Sequence, residues 1–299
     1  MKKIFLAYIT FSLLFLTVSC DKDLPFPLDQ VERGVVIDVT RVAGTDGVLS
    51  DGLTSGNYKI KLTIPEQQGD YSFMKCAQLL AVLQGADGKM SSQVVIDDIT
   101  QFPLEINLNI SDVYSKFGQS TPALGQTLYF TTNVIRKDGY TIPGWTELTG
   151  FNNVMFAGWI IDGRAYSSNV RYSVACPLNI DDFIGEGFVY LDGFWGEEPY
   201  PITITKVSDT ELSIEGLFEG EAVNPLVITV NTTDHSVSFG RQVLAPESGA
   251  WWGNATYNNF ALSAGTGTIN ACELTISFRA TGSVNAGTFA NPYSFRLGK

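Results

Sequence analysis

Histidine is almost missing from this chain: one residue, His235, among 299. That scarcity excludes histidine-rich zinc sites and the HExxH helix, each of which needs at least two. Gly-x-Ser-x-Gly is absent as well, so serine–histidine hydrolysis has no nucleophile elbow to start from. Basic residues are few, 19 against 31 acidic, and nowhere clustered. A surface of that sign repels phosphate backbones and makes nucleic acid a poor partner. Cysteine occurs four times without a CxxC pair, which removes the usual metal and redox spacings. Long apolar runs are lacking too. The longest, Ile4–Val18, falls short of the roughly 20 residues a spanning helix needs.

That short run has a different use. It follows Met1-Lys2-Lys3 and ends at Leu16-Thr17-Val18-Ser19-Cys20, then Asp21-Lys22-Asp23. A basic start, an apolar stretch and small residues before a cysteine resemble a lipobox. The resemblance implies cleavage before Cys20 and acylation of its thiol, so residues 1–19 are set aside from fold reasoning. Asp21 and Asp23 resemble the acidic export signal of bacteroidete-type lipoproteins. Pro25 and Pro27 keep residues 20–30 extended as a tether. The remaining chain carries 17 basic against 31 acidic residues, a net charge of −14. Attachment to a membrane would therefore rest on lipid rather than on charge.

The rest reads as antiparallel β structure. Tyr58, Ile60, Leu62 and Ile64 alternate with Lys59, Lys61 and Thr63. Leu104–Ile110 and Val170–Cys176 alternate in the same way. Period two places one set in the core and the other in water. Gly34–Val42, Phe73–Leu83, Thr127–Ile135 and Asn153–Ile161 read as further strands. Asp-Gly occurs six times, each a candidate tight turn. A short helix is expected at Asp112–Phe117, with Ser111 as N-cap and Gly118 ending it. From Asp181 the pattern becomes a meander: Gly187–Asp192, Tyr200–Val207, Glu211–Leu217, Leu226–Val230, Ser236–Phe239, Ala255–Ala261, Ile269–Ala280 and Tyr293–Leu297. The fold class expected is all-β. An immunoglobulin-like sandwich over residues 31–177 precedes a sandwich or small barrel over 178–299. Cys76, Cys176 and Cys272 lie in apolar runs. They read as unpaired buried thiols, with one disulfide as the alternative.

Lipobox, acidic tether, immunoglobulin-like region and meander tail follow in that order. The tail includes Phe188–Trp195, the hairpin Tyr200–Leu217, and Gly265-Thr266-Gly267 before Cys272–Ile276. This layout resembles the accessory surface lipoproteins of starch-utilisation-system-type glycan importers. The resemblance implies an outer-membrane protein facing the exterior, held by its lipid. Its partners would be a glycan and a transporter complex, and it needs no cofactor. The alternative from another class is a structural or adhesive module that binds a protein.

Chemistry is sparse. Asp97-Asp98, Asp181-Asp182 and Glu197-Glu198 are adjacent carboxylates, but neighbours in a strand point to opposite faces and do not build a glycosidase dyad. His235 beside Asp234 reads as a turn histidine. No catalytic residue and no metal site are assigned. Sugars present flat C–H faces and dense hydroxyls, which exposed aromatic rings and nearby polar groups match. Trp195 and Tyr200, in Phe194–Tyr200, and Trp251 and Trp252, followed by Gly253, Asn254, Tyr257 and Asn258, are the candidate ligand-binding residues. Trp145, in Pro143-Gly144-Trp145, is another ring in a turn-like setting. The competing expectation is that these rings cap the ends of a β core.

Overall fold

The computed structural model describes residues 34–68, 70–153, 160–161, 164–196 and 199–299. The signal segment 1–19, Cys20, the tether 20–30, the Asp162-Gly163 turn, most of the strand expected at Asn153–Ile161 and the pair Glu197-Glu198 lie outside the described residues.

The first strands are β1 (Asp38–Arg41), β2 (Val48–Ser50), β3 (Lys59–Thr63), β4 (Met74–Gln84), β5 (Met90–Ile99), β6 (Leu104–Asn107), β7 (Thr127–Arg136) and β8 (Asn169–Ala175). They form two sheets, ordered β1-β3-β6 and β2-β8-β7-β4-β5, antiparallel except where β2 runs parallel to β8. Alternation does what the sequence implies: Ile60 and Leu62 are buried while Lys59 and Lys61 are not. The apolar run of β4 is a strand between β7 and β5. Tyr58 stands beside the first sheet, and Tyr172 and Phe130 belong to the second. An edge-on ring contact of 5.9 Å between Tyr58 and Tyr172 links the two sheets into a sandwich, and Phe130 meets Tyr172 edge-on at 6.0 Å within the second. β5 is the outer strand, and its pairing with β4 is interrupted between Ala77 and Leu80.

Helix α1 (Ile110–Ser115) begins two residues before the expected start. Its N-cap is Asn109 rather than Ser111. Burial of Ile110 with Val113 and Tyr114 accounts for the shift, because the first turn itself supplies core.

Besides Gln242–Ala245 and Gly287–Thr288, which pair on one side only, eight strands follow: β9 (Gly185–Asp192), β10 (Tyr200–Ser208), β11 (Glu211–Glu215), β12 (Leu226–Asn231), β13 (Ser236–Phe239), β14 (Phe260–Asn270), β15 (Thr275–Val284) and β16 (Tyr293–Gly298). Each pairs antiparallel with the next, and β16 returns to β9 through Phe188↔Gly298 and Asp192↔Phe295. The result is a closed up-and-down barrel, a size whose interior side chains can fill. Ile202, Ile204, Leu212, Ile214, Leu226, Ile228, Ile276 and Leu297 contribute to its buried core. Phe278 stacks on Phe295 at 4.9 Å and meets Phe239 edge-on at 5.4 Å.

Two strand readings are corrected here. Residues Ala255–Tyr257 form a 3-10 turn rather than a strand, and the run Ile269–Ala280 is two strands split by the turn 271–274. Gly265-Thr266-Gly267 therefore lies inside β14. A methyl group at Gly265 would overlap the Phe239 ring, and one at Gly267 would overlap the Ser277 carbonyl. The two glycines let the wall pass close to the large rings.

Strand direction sorts the connections. Segments 193–196, 216–225, 240–259 and 285–292 gather at one end of the barrel. The turns 209–210, 232–235 and 271–274 gather at the other. The second end meets the sandwich. There Gly47 N–H donates to the Thr233 carbonyl at 2.7 Å, and Arg41 lies 3.8 Å from Asp234. Cys176 and Cys272 form a disulfide with Cα atoms 5.2 Å apart. This corrects the reading of three unpaired thiols. Cys176 lies just beyond β8, where the chain leaves the sandwich, and Cys272 sits in the β14–β15 turn that faces it. Cys76 is free and buried, as expected. No strand pairing among the described residues joins sandwich to barrel, and Val36–Lys299 forms one compact unit.

Candidate functional site

The barrel end remote from the sandwich is built around one buried carboxylate. Asp192, the last residue of β9, is 3% exposed. Its Oδ1 accepts the backbone N–H groups of Phe194 (3.0 Å) and Trp195 (2.9 Å). Its Oδ2 accepts the Tyr200 hydroxyl at 2.5 Å. Gly196, at φ +73°, donates to the Asp192 carbonyl and turns the chain back. The loop that carries Phe194 and Trp195 is thereby held from beneath. Gly193 adds a close approach, since a Cβ there would lie 2.9 Å from Ser294 backbone atoms.

Trp251 and Trp252 stand on α2 (Gly249–Trp252), a single turn ended by Gly253 at φ +64°. Three side-chain contacts pin it. Ser248 Oγ donates to the Tyr257 carbonyl at 2.6 Å and accepts Phe260 N–H at 2.9 Å. Asn258 Oδ1 accepts Gly249 N–H at 2.8 Å. Asn254 accepts Thr256 N–H at 3.0 Å and so caps the following 3-10 turn, which places Tyr257.

These elements bring the rings together in depth. Phe218 and Phe260 are fully buried at the bottom. Phe194 lies above them, 4.4 Å from Phe260 and 5.5 Å from Phe218. It also contacts Trp195, Trp251, Trp252, Phe289 and Tyr293. Trp195 meets Trp251 edge-on at 5.4 Å, Trp251 meets Trp252 at 5.4 Å, and Trp252 meets Tyr257 at 5.5 Å. Each such pair adds about 0.5–1.5 kcal/mol beyond area burial, which rigidifies the face. Trp252 (41% exposed) and Tyr257 (36%) are its open members. Trp195 and Trp251 are half-buried, so they both cap the core and reach the surface.

Carboxylates border the rings. Trp251 Nε1 donates to Glu221 Oε2 at 3.3 Å. Beside this contact lies a cleft of about 350 Å³ lined by Glu221, Val223, Pro246, Glu247, Ala250 and Trp251.

The structure thus gathers three of the four candidate binding residues. Tyr200 is the exception and is corrected: it is 5% exposed, donates to Asp192 and accepts Phe218 N–H at 3.0 Å. Burial, then the bond to Asp192, drives its phenol well above the ordinary tyrosine value. It supports the loop from below and offers no surface to a ligand. Trp145 lies elsewhere, in a short ladder where Phe151 pairs with it. His235 sits at φ +58° at the opposite barrel end, and burial lowers its pKa. Asp97 accepts from Gln78 and from Asp98 N–H, while Asp181 pairs with Lys206 and Asp182 accepts from Asn179. These local bonds account for both described acidic pairs. Among the described residues no cluster of three or more His, Cys, Asp or Glu is placed to hold a metal ion.

Phe194 lies in the Phe194–Tyr200 segment that the sequence singles out, whereas Phe218, Glu221, Phe289 and Tyr293 are not legible there as site residues. These come from distant loops with no local signal. Comparison of the chain with family models, curated proteins and solved structures finds no match.

Proposed function

We propose that this chain is an exported, lipid-anchored surface protein whose barrel end binds glycan without turning it over, as an accessory of an outer-membrane glycan importer. The convergence of Trp195, Trp251, Trp252 and Tyr257 on one face beside acidic and amide side chains carries this reading. Flat rings stack on sugar C–H faces, and a few polar groups fix orientation. The face is held rigid by Asp192, Ser248 and Asn258, so little ordering cost falls on binding. The Cys176–Cys272 disulfide supports export independently of the N-terminus, because such bonds persist in oxidising compartments. Acylation of Cys20 supplies the anchor.

Titration of the detergent-solubilised full chain against a glycan panel tests the proposal. Binding that Trp195→Ala with Trp252→Ala removes, without release of free sugar, is the expected result. Binding that survives both substitutions, or turnover of the bound glycan, overturns it.

A second reading has its own observation. Phe188, Tyr190 and Leu191 project from the outer barrel wall at 46%, 44% and 49% exposure, with the two rings 6.3 Å apart. Contiguous exposed apolar side chains suit a protein partner. Crosslinking from Tyr190 in cells would capture that partner, and a tyrosine probe there that yields only monomer removes the idea.

A further inference from the structure

We infer that the aromatic barrel end selects glycans bearing free amines, N-deacetylated amino-sugar polymers, over neutral or anionic ones. The inference rests on the glycan reading above and adds the charge of the ligand to it.

The first observation is the sign of the rim. Segments 193–196, 216–225 and 285–292 contain no Lys or Arg, and 240–259 contains one, Arg241, which is not among the residues that line the cleft beside Trp251. The described carboxylates among them, Glu219, Glu221 and Glu247, are all exposed. The second is their relation to the rings. Glu221 takes the Trp251 indole N–H at 3.3 Å, which fixes a carboxylate at the ring edge. Glu247 lines the same cleft as Trp251. An ammonium group that enters here meets two carboxylates and the negative face of an indole together. Each attraction is modest in water, and they act on the same charge.

The converse excludes other sugars. A uronate or sulfate brought to this cleft approaches Glu221 and Glu247 with no cation among the residues that line it, inside the Debye length of about 8 Å at physiological salt. Neutral sugars keep the stacking contribution alone. Ring stacking thus sets that a pyranose binds, and the rim sets which substituent it carries.

The test compares β-1,4-linked oligomers of equal length, titrated calorimetrically into the detergent-solubilised full chain: glucosamine, N-acetylglucosamine, glucose and a uronate. Glucosamine oligomers should bind about tenfold more tightly than the glucose or N-acetylated ones at low salt. That ratio should narrow as salt rises. Glu221→Gln with Glu247→Gln should bring it to about one, and circular dichroism of this doubly substituted chain should match the parent. Equal or tighter binding of the neutral oligomers, still lost in Trp252→Ala, overturns the charge assignment and leaves the glycan reading standing. Failure of every oligomer to bind overturns both. Glucosamine binding that persists in Trp195→Ala with Trp252→Ala marks adsorption to an acidic surface and also overturns the inference.

Discussion

Replacing Cys176 and Cys272 by serine removes a covalent link between sandwich and barrel, and its cost follows from where the link sits in the chain. The bridged cysteines are 96 residues apart, and the closed ring contains β9 through β14. Six of the eight barrel strands are therefore cross-linked in the unfolded chain. On a chain-entropy basis a ring of roughly 100 residues restricts the unfolded state by about 4.7 kcal/mol at 25 °C. A unit of this size loses roughly 2–4 °C of melting temperature per kcal/mol. The variant should then melt roughly 10–20 °C below the parent. Calorimetry of the parent, the parent under reductant and the double variant measures this directly. Reductant should bring the parent down to the variant and leave the variant unmoved. Melting temperatures within about 2 °C of one another would refute the assignment of the stabilisation to ring closure.

Tyr200→Phe removes a buried hydroxyl that bonds both Asp192 and Phe218. It should cost about 2 kcal/mol in urea unfolding and weaken the near-ultraviolet circular dichroism of the tryptophans as the Phe194–Trp195 loop loosens. Gly267→Ala places a methyl against the Ser277 carbonyl and the Phe278 backbone, which do not yield, and should cost roughly 3 kcal/mol. Gly240→Ala, with open space around it, should change stability by less than about 0.5 kcal/mol and serves as the control in the same denaturation series. Alkaline pH should unfold the protein cooperatively. Burial raises the phenols of Tyr58, Tyr114, Tyr172 and Tyr200 above the ordinary value of 10.0, Tyr58 to about 12. Below that ordinary value both states hold the proton. Above it the unfolded chain loses protons the folded one keeps, so stability falls as pH rises towards about 12. Tyrosinate absorbance checks this, and independent titration of all tyrosines near their ordinary value would contradict it.

Much of the β structure was readable because period-two alternation is a local property. Lys59–Thr63 shows it plainly, and so do the hairpins from β9 to β13. Closure was not readable, since the β16–β9 pairing depends on how twist accumulates around the whole sheet. The disulfide escaped for a similar reason: Cys176 and Cys272 each sit by an apolar strand, and only their convergence at one barrel end reveals the pair. Tyr200 is legible as buried from strand parity alone. It shares parity with Ile202 and Ile204, both inward, so the alternation of β10 already placed it inside. The tryptophans were legible as suspects by their turn-rich surroundings. Their meeting depends on Phe194 and on loops from four parts of the chain, which no local pattern encodes.

β5 has a consequence for life at high surface density. Closing the barrel leaves its eight strands without free edges, while β5 remains the long outer strand of the sandwich. On the lipid-anchored reading proposed above, copies would meet repeatedly in two dimensions, where one exposed ladder would zip to the next. Asp97 and Asp98 stand near the end of that strand, Asp98 bends away at φ +56°, and the slipped pairing with β4 spoils its flatness. Neighbouring copies should therefore slide past one another as separate molecules, each keeping Trp252 and Tyr257 exposed.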